Sequence, residues 1–256
     1  MNISTRVRVQ TGDNVLIGGI IITGNDPKKV LFRAIGPSAS SGGVPVPGRL
    51  ADPVLELRDS TGALHTSNDD WKDSPQRAEI EASGAAPNDD KESAILRTLS
   101  PGAYTAILRG KDNTTGIALV EAYDLDTAAD SLLANISTRG FVETGDNVMI
   151  GGIIVGHHTV STKVLIRAIG PSLKNRLPNA LDDTFLELHD RNGNTIATNN
   201  NWKDSQRAEI EATGIPPTHD LESAMVRMVA PDSYTAIVRG ANNSIGVGLV
   251  EIYNIR

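Results

Sequence analysis

The 256-residue chain has no cysteine, which excludes disulfides and thiolate metal sites. Stability has to come from a core or from oxygen-ligated ions such as calcium. Aromatic residues make up 4% of the chain, including two tryptophans, so the core has to be built from Val, Ile, Leu and Ala. No long unbroken apolar run occurs, and no membrane insertion is expected. An excess of basic residues is also lacking. The net charge of −7 argues against nucleic acid as a partner, because the phosphate backbone is bound by basic faces. No leader is expected within this sequence, because Met1-Asn2-Ile3-Ser4 runs straight into strand-like sequence, as in an exported protein whose leader is gone or in a fragment.

What the chain does have is a long internal repeat. Asn68-Asp69-Asp70-Trp71-Lys72-Asp73-Ser74 returns as Asn199-Asn200-Asn201-Trp202-Lys203-Asp204-Ser205. Asn2-Ile-Ser-Thr-Arg6 returns at 135–139, Thr11-Gly-Asp-Asn-Val15 at 144–148, and Arg33-Ala-Ile-Gly-Pro-Ser38 at 167–172. Tyr104-Thr-Ala-Ile107 with Arg109 returns at 234–237 with Arg239, and Leu119-Val-Glu121 returns at 249–251. The unit is far longer than a solenoid repeat of ~20–50 residues, so each copy is expected to be a domain. The boundaries read as 1–126 and 134–256, with 127–133 as a linker.

Within a copy, strand follows strand. Val15 to Thr23 is almost wholly apolar and reads as a strand buried on both faces. Gly18-Gly19 inside it points to a bulge or a close backbone approach. Val54-Leu-Glu-Leu-Arg58 alternates and turns back at Asp59-Ser-Thr-Gly62. Gln76 to Ala82 carries helix formers around Ile80 and reads as one or two helical turns. About eight strands per copy, with turn signals every ~8–12 residues, predict an all-β chain of two tandem antiparallel sandwiches with one short helix each.

From Pro53 to Leu125 the chain shows a Leu-x-Leu strand, an Asp-x-x-Gly turn, Asn-Asp-Asp, Pro-Gly-x-Tyr-Thr and a Gly-led last strand. This order resembles the bacterial pre-peptidase C-terminal domains and related secreted β-sandwich modules, and the second copy matches from Thr184 to Ile255. The resemblance covers about three fifths of each copy. It implies a jelly-roll-like sandwich, an extracellular or cell-surface location and a non-catalytic accessory role. It implies no particular ligand.

The five histidines do not match between copies, and no Gly-x-Ser-x-Gly elbow supports a Ser-His-Asp set. No enzyme is expected. His157-His158 reads as an exposed loop pair rather than a metal site. Asp69, Asp70, Asp89, Asp90 and Glu92 lie in two acidic loops flanking the helical segment, where they can ligate calcium or make turns and caps. The Trp blocks offer a ligand platform, Trp71, Lys72 and Asp73 with Trp202, Lys203 and Asp204, on which a sugar ring can stack. With aromatics so scarce, the reading preferred over the platform is that each Trp plugs the end of its sandwich, with the indole N–H on a backbone carbonyl. Arg33 and Glu121, like Arg167 and Glu251, are charges inside apolar strands and are expected to pair. The function expected is an extracellular module that binds a polysaccharide or cell-surface glycan, stabilised by calcium. The rival is a structural protein that self-associates into a surface layer or filament.

Overall fold

A computed structural model describes residues 2–155 and 161–255; His157 and His158 lie outside the described residues. The chain forms two compact units, Met1–Ala134 and Asn135–Arg256. The first contains β1 (Asn2–Val9), β2 (Leu16–Gly24), β3 (Lys28–Ile35), a short ladder of β4 (Ser40–Ser41) with β5 (Val44–Pro45), β6 (Pro53–Arg58), β7 (Leu64–Asn68), helix α1 (Arg77–Ala82), β8 (Ser93–Leu99), β9 (Gly102–Gly110) and β10 (Gly116–Asp124). Within this unit the long strands pair antiparallel in two sets. One runs β1-β10-β3-β8 and the other β2-β9-β6-β7. This is the strand order of a jelly roll, two interleaved Greek keys on facing sheets.

The second unit repeats it with β11 (Ser131–Val142), β12 (Met149–Ile154), β13 (Thr162–Ile169), β14 (Thr184–His189), β15 (Thr195–Asn199), α2 (Arg207–Glu211), β16 (Ser223–Val229), β17 (Ser233–Gly240) and β18 (Gly246–Asn254). Its sets are β11-β18-β13-β16 and β12-β17-β14-β15. Ser131, Leu132 and Leu133 of the segment expected as a linker head β11, whose pairing with β18 starts at Asn135. Asp126 to Asp130 is held down as well. The Lys28 ammonium reaches the Asp126 carbonyl at 2.6 Å and Asp124 at 3.0 Å, and the Asn25 N–H donates to the Asp130 carbonyl at 2.8 Å.

Burial follows from the alternation of strand side chains. On β2, Leu16, Ile20 and Ile22 are buried, whereas Ile21 is 38% exposed. The strand expected to be buried on both faces is therefore covered on one. Its register with β9 runs unbroken from Leu16 to Ile22, so the paired glycines make no bulge. Gly18 instead marks a close approach: a Cβ there would stand 3.2 Å from a Val120 methyl.

The other sheet is covered on both faces, and the Trp block does the covering. On β3, Val30, Phe32 and Ala34 alternate with Leu31 and Arg33. Register sets Leu31 beside Leu96 and Tyr123, and Arg33 beside Ala94 and Glu121. Trp71 and Ile80 pack on that second face with Leu31, Ala94 and Leu96. The tryptophan thus seals the outer face of one sheet, not the open end of the sandwich. The same layer forms in the second unit from Trp202, Ile210, Leu165, Ala224 and Val226.

Arg33 and Glu121 pair as their positions predict. Glu121 accepts from Nε of Arg33 at 2.8 Å and also from its Nη2, while Nη1 donates to the Ala85 carbonyl at 2.7 Å. Arg167, Glu251 and Ile215 repeat this. The guanidinium ties the loop after the helix to the sheet. It also lies over the ring of Tyr123, or of Tyr253 in the second unit, at 4.9 and 5.1 Å. Burial, then the nearby Glu251 carboxylate, pushes the Tyr253 hydroxyl up to about 12.

Because Trp71 is the largest side chain in this layer, Trp71→Ala is expected to cost ~3–5 kcal/mol, the range for aromatic truncation in a core. Denaturant unfolding measures it. The half-exposed Lys72→Ala should move the same transition by within ~0.5 kcal/mol. A Trp71→Ala midpoint indistinguishable from that of Lys72→Ala would remove the covering role.

Candidate functional site

Trp71 is 5% exposed and Trp202 4%. The indole N–H of Trp71 donates to the Asp89 carbonyl at 3.0 Å, and that of Trp202 to the His219 carbonyl at 3.1 Å. Lys72 and Lys203 stand over the rings at 5.7 and 5.3 Å. Rings enclosed in this way offer no open face to a sugar. Lys72 pairs with Asp90, and Lys203 with Asp220 at 2.5 Å. Asp73 is exposed on the turn after Trp71, and Asp204 accepts from the Asn201 amide at 2.9 Å.

Of the five carboxylates expected to ligate a cation, Glu92 is fully buried and already committed. Its Oε1 accepts the N–H of Gly36 at 3.1 Å, the N–H of Ser38 at 2.9 Å and the Ser38 hydroxyl at 2.7 Å. Oε2 accepts the Asp89 N–H at 3.2 Å. Glu222 does the same for Gly170, Ser172 and His219. The Gly-Pro-Ser motif is thus a carboxylate cradle. A Cβ on Gly36 would lie 2.3 Å from the Leu50 carbonyl oxygen, so the turn requires glycine. Asp89 is spent in the same loop, its Oδ1 accepting the Lys91 N–H at 3.0 Å. Asp90 is the partner of Lys72.

Asp69 and Asp70 meet a third residue that the sequence did not single out. Asp52, Asp69 and Asp70 offer oxygens within 4.8 Å of one another, a group able to hold a metal ion. Asp52 comes from the turn before β6 and the other two from the end of β7, neighbouring strands in the sheet. Oδ1 of Asp52 and Oδ1 of Asp69 are buried and accept no hydrogen bond. Lys111 caps the cluster, 2.6 Å from Asp69 and 3.9 Å from Asp52. Burial raises the Asp52 carboxyl above its ordinary range, Asp69 and Asp70 push the same way, and Lys111 opposes them. In the second unit these positions are Asp183, Asn200, Asn201 and Ala241.

A cleft of ≈ 290 Å³ opens at one end of the first unit. The turn after β1 supplies Gln10, Thr11 and Val15, and the end of β9 with its hairpin supplies Arg109, Asn113 and Thr114. Asp112 and Asn113 both have positive φ, 53° and 58°, as a tight hairpin matched to the strand twist requires. Asn242 and Asn243 do the same in the second unit. The signal was visible in the sequence, since Thr11-Gly-Asp-Asn and Arg109-Gly both recur. It reads only as turns until the fold brings the two turns together.

No family model matches the chain, and no curated protein matches it. Among solved structures, it is similar to the pre-peptidase C-terminal domain of collagenase from Bacillus anthracis, at 12% identity over 46% of this chain and 89% of that one, TM-score 0.30. It is also similar to tandem CBM51 modules of a family 98 glycoside hydrolase from Streptococcus pneumoniae, at 8% identity over 98% and 88%, TM-score 0.29. A third is collagen adhesin from S. aureus, at 8% identity over 96% and 83%, TM-score 0.20. None is close enough to lend its activity to this chain.

The Glu92 cradle generates a sharp expectation. Glu92→Gln keeps the shape but turns an amide N–H₂ toward backbone N–H groups, which can only donate, on whichever side it takes. Leaving a buried donor unpaired costs ~1–3 kcal/mol and bonds to a charged acceptor are the stronger kind, so a loss of about 2–3 kcal/mol is expected. Glu222→Gln should behave alike. Chemical denaturation of each variant measures it, and a neutral substitution would show that the carboxylate does not hold the turn.

Proposed function

We propose that the chain is a non-catalytic binding module that works outside the cell, takes a carbohydrate as ligand and holds calcium at Asp52, Asp69 and Asp70. The carbohydrate reading is carried by the cleft between the two turns. Apart from Val15, its side chains are amides, hydroxyls and one guanidinium, an inventory of donors and acceptors suited to a ligand made of hydroxyls. Its size is near the lower end of ligand pockets, ~300 Å³. The enclosed tryptophans move the sugar site from the Trp block to this cleft. Placement outside the cell follows the motif resemblance to secreted modules.

The calcium reading is supported by the two buried oxygens that lack donors. A hard cation takes carboxylate oxygens from neighbouring loops, and here it displaces the Lys111 ammonium. The second unit, with Asn200 and Asn201, binds calcium more weakly, because fewer charged ligands lower the affinity.

A single design tests both halves. The full chain is screened on a glycan array and titrated by calorimetry with the oligosaccharides retained, in calcium and in chelator. Arg109→Ala is expected to weaken retention at least ~10-fold, the loss of one charge-assisted contact. Calcium is expected to raise the melting temperature by mass action, and Asp70→Asn to abolish that rise. Failure of the wild type to retain any glycan overturns the carbohydrate reading. Equal melting in calcium and chelator overturns the metal reading.

A further inference from the structure

Both walls of the first unit's cleft recur in the second unit, and so does the strand pairing that brings them together. Val9, at the end of β1, pairs with Gly116, the first residue after the hairpin between β9 and β10. Val142, at the end of β11, pairs with Gly246 in the same way. The turns beyond these strands share one geometry. The Gln10 N–H donates to the Asn14 carbonyl at 3.2 Å, the Glu143 N–H donates to the Asn147 carbonyl at 3.2 Å, and Gly12 and Gly145 both have φ 61°. On the other wall, Arg109 lies opposite Val54 in the register and Arg239 opposite Phe185. The hairpins close alike, the Thr114 N–H on the Lys111 carbonyl at 3.0 Å and the Ser244 N–H on the Ala241 carbonyl at 3.1 Å. Thr11, Arg109 and Asn113 of the first cleft are Thr144, Arg239 and Asn243 in the second unit. Among the lining residues only Gln10 and Thr114 differ, as Glu143 and Ser244.

The electrostatics do not recur. Glu143 puts a carboxylate where Gln10 puts a neutral amide. On the hairpin, Lys111 and Asp112 correspond to Ala241 and Asn242, changes of charge that cancel. Two nearby arginines are gone as well. Arg8 corresponds to Phe141. Arg58, which shares Glu56 with Arg109, corresponds to His189, which shares Glu187 with Arg239. The surroundings of Arg239 are therefore the more negative.

We propose that the second unit holds a second ligand cleft of the same kind, and that this one takes a neutral sugar and turns away a carboxylated one. The inference rests on the carbohydrate reading of the first cleft and extends it to a site with a different tolerance. Carboxylate oxygens accept hydrogen bonds from sugar hydroxyls, so Glu143 suits an uncharged ring. A carboxylate on the ligand meets like charge there, which is costly, and a repulsive group of this sort gives selectivity without any new contact. Gln10 sets no such bar in the first cleft.

Calorimetry of the full chain tests it, with gluco-, xylo- and mannohexaose as neutral probes and hexagalacturonate as the acidic one. A neutral hexaose is expected to fill two sites per chain. Arg239→Ala should weaken one of them at least ~10-fold and leave the other, and Arg109→Ala should do the reverse, one charge-assisted contact being lost in each case. Thr144→Tyr, at an exposed position on the turn, should block the second site while keeping the Arg239–Glu187 pair, and it serves where Arg239→Ala unsettles the fold. Hexagalacturonate should bind Arg239→Ala as it binds the wild type, and Glu143→Gln should strengthen its hold on the second site at least ~10-fold, the effect of removing one nearby like charge. One site per chain for the neutral hexaoses, unmoved by Arg239→Ala and Thr144→Tyr, overturns the inference and leaves the first cleft standing. A response to hexagalacturonate that Glu143→Gln does not change overturns the selectivity. Failure of all three neutral hexaoses to bind overturns the inference as well, whatever other glycans the chain retains.

Discussion

Each unit is organised around a buried carboxylate whose donors are neutral. Glu92 collects the N–H groups of Gly36, Ser38 and Asp89, and its own carbonyl accepts the Trp71 N–H at 2.8 Å. One residue therefore joins the turn after β3, the loop before β8 and the Trp block. A buried charge is tolerated where several hydrogen bonds satisfy it and is costly otherwise. That cost makes the set inseparable: glycine for the close turn, serine for the hydroxyl, glutamate for the charge, tryptophan to exclude water. All four recur in the second copy inside unbroken identities, Gly36 and Ser38 within Arg33–Ser38, Trp71 within Trp71–Ser74 and Glu92 within Glu92–Ala94. The most repetitive part of the sequence is thus framework, and it positions the functional surfaces without belonging to them.

Much of the fold was legible. Strand alternation and turn residues led to eight strands per copy, and the pairing of Arg33 with Glu121 followed from charges stranded in apolar runs. The helix came from the propensities of Gln76 to Ala82, where α1 runs from Arg77 to Ala82. Legibility stopped where a residue's role depends on what lies across the sheet. An apolar run such as Val15 to Thr23 reads as doubly buried, yet nothing in the run says whether a layer covers its second face. Trp71 presents the opposite case: its burial was foreseeable from scarcity, but its place over the β3 sheet follows from a register that local sequence does not encode. Asp52 and Asp69 are far apart in sequence and become neighbours because β6 and β7 pair.

Where the copies differ, charges changed as sets. Asp69, Asp70 and Lys111 of the first unit correspond to Asn200, Asn201 and Ala241 of the second. Lys28 and Asp124 correspond to Thr162 and Asn254. The Lys28 ammonium is 1% exposed and its partner Asp124 9%, so removing either alone strands an uncompensated charge, a loss of several kcal/mol, whereas replacing both with neutral groups is nearly free. The acidic cluster obeys the same arithmetic. Three carboxylates crowd together beside one ammonium, and burial already works against Asp52 in its charged form. Once two of the carboxylates become amides, a lysine has little left to balance, and alanine suffices. The second unit thus shows what the first requires: its cluster is a concentration of negative charge that exists with a cation, and Lys111 supplies one positive charge against three negative ones. Under the calcium reading proposed above, a divalent ion would balance that remainder, and Oδ1 of Asp52 and Oδ1 of Asp69, buried and accepting no hydrogen bond, are the oxygens left to meet it.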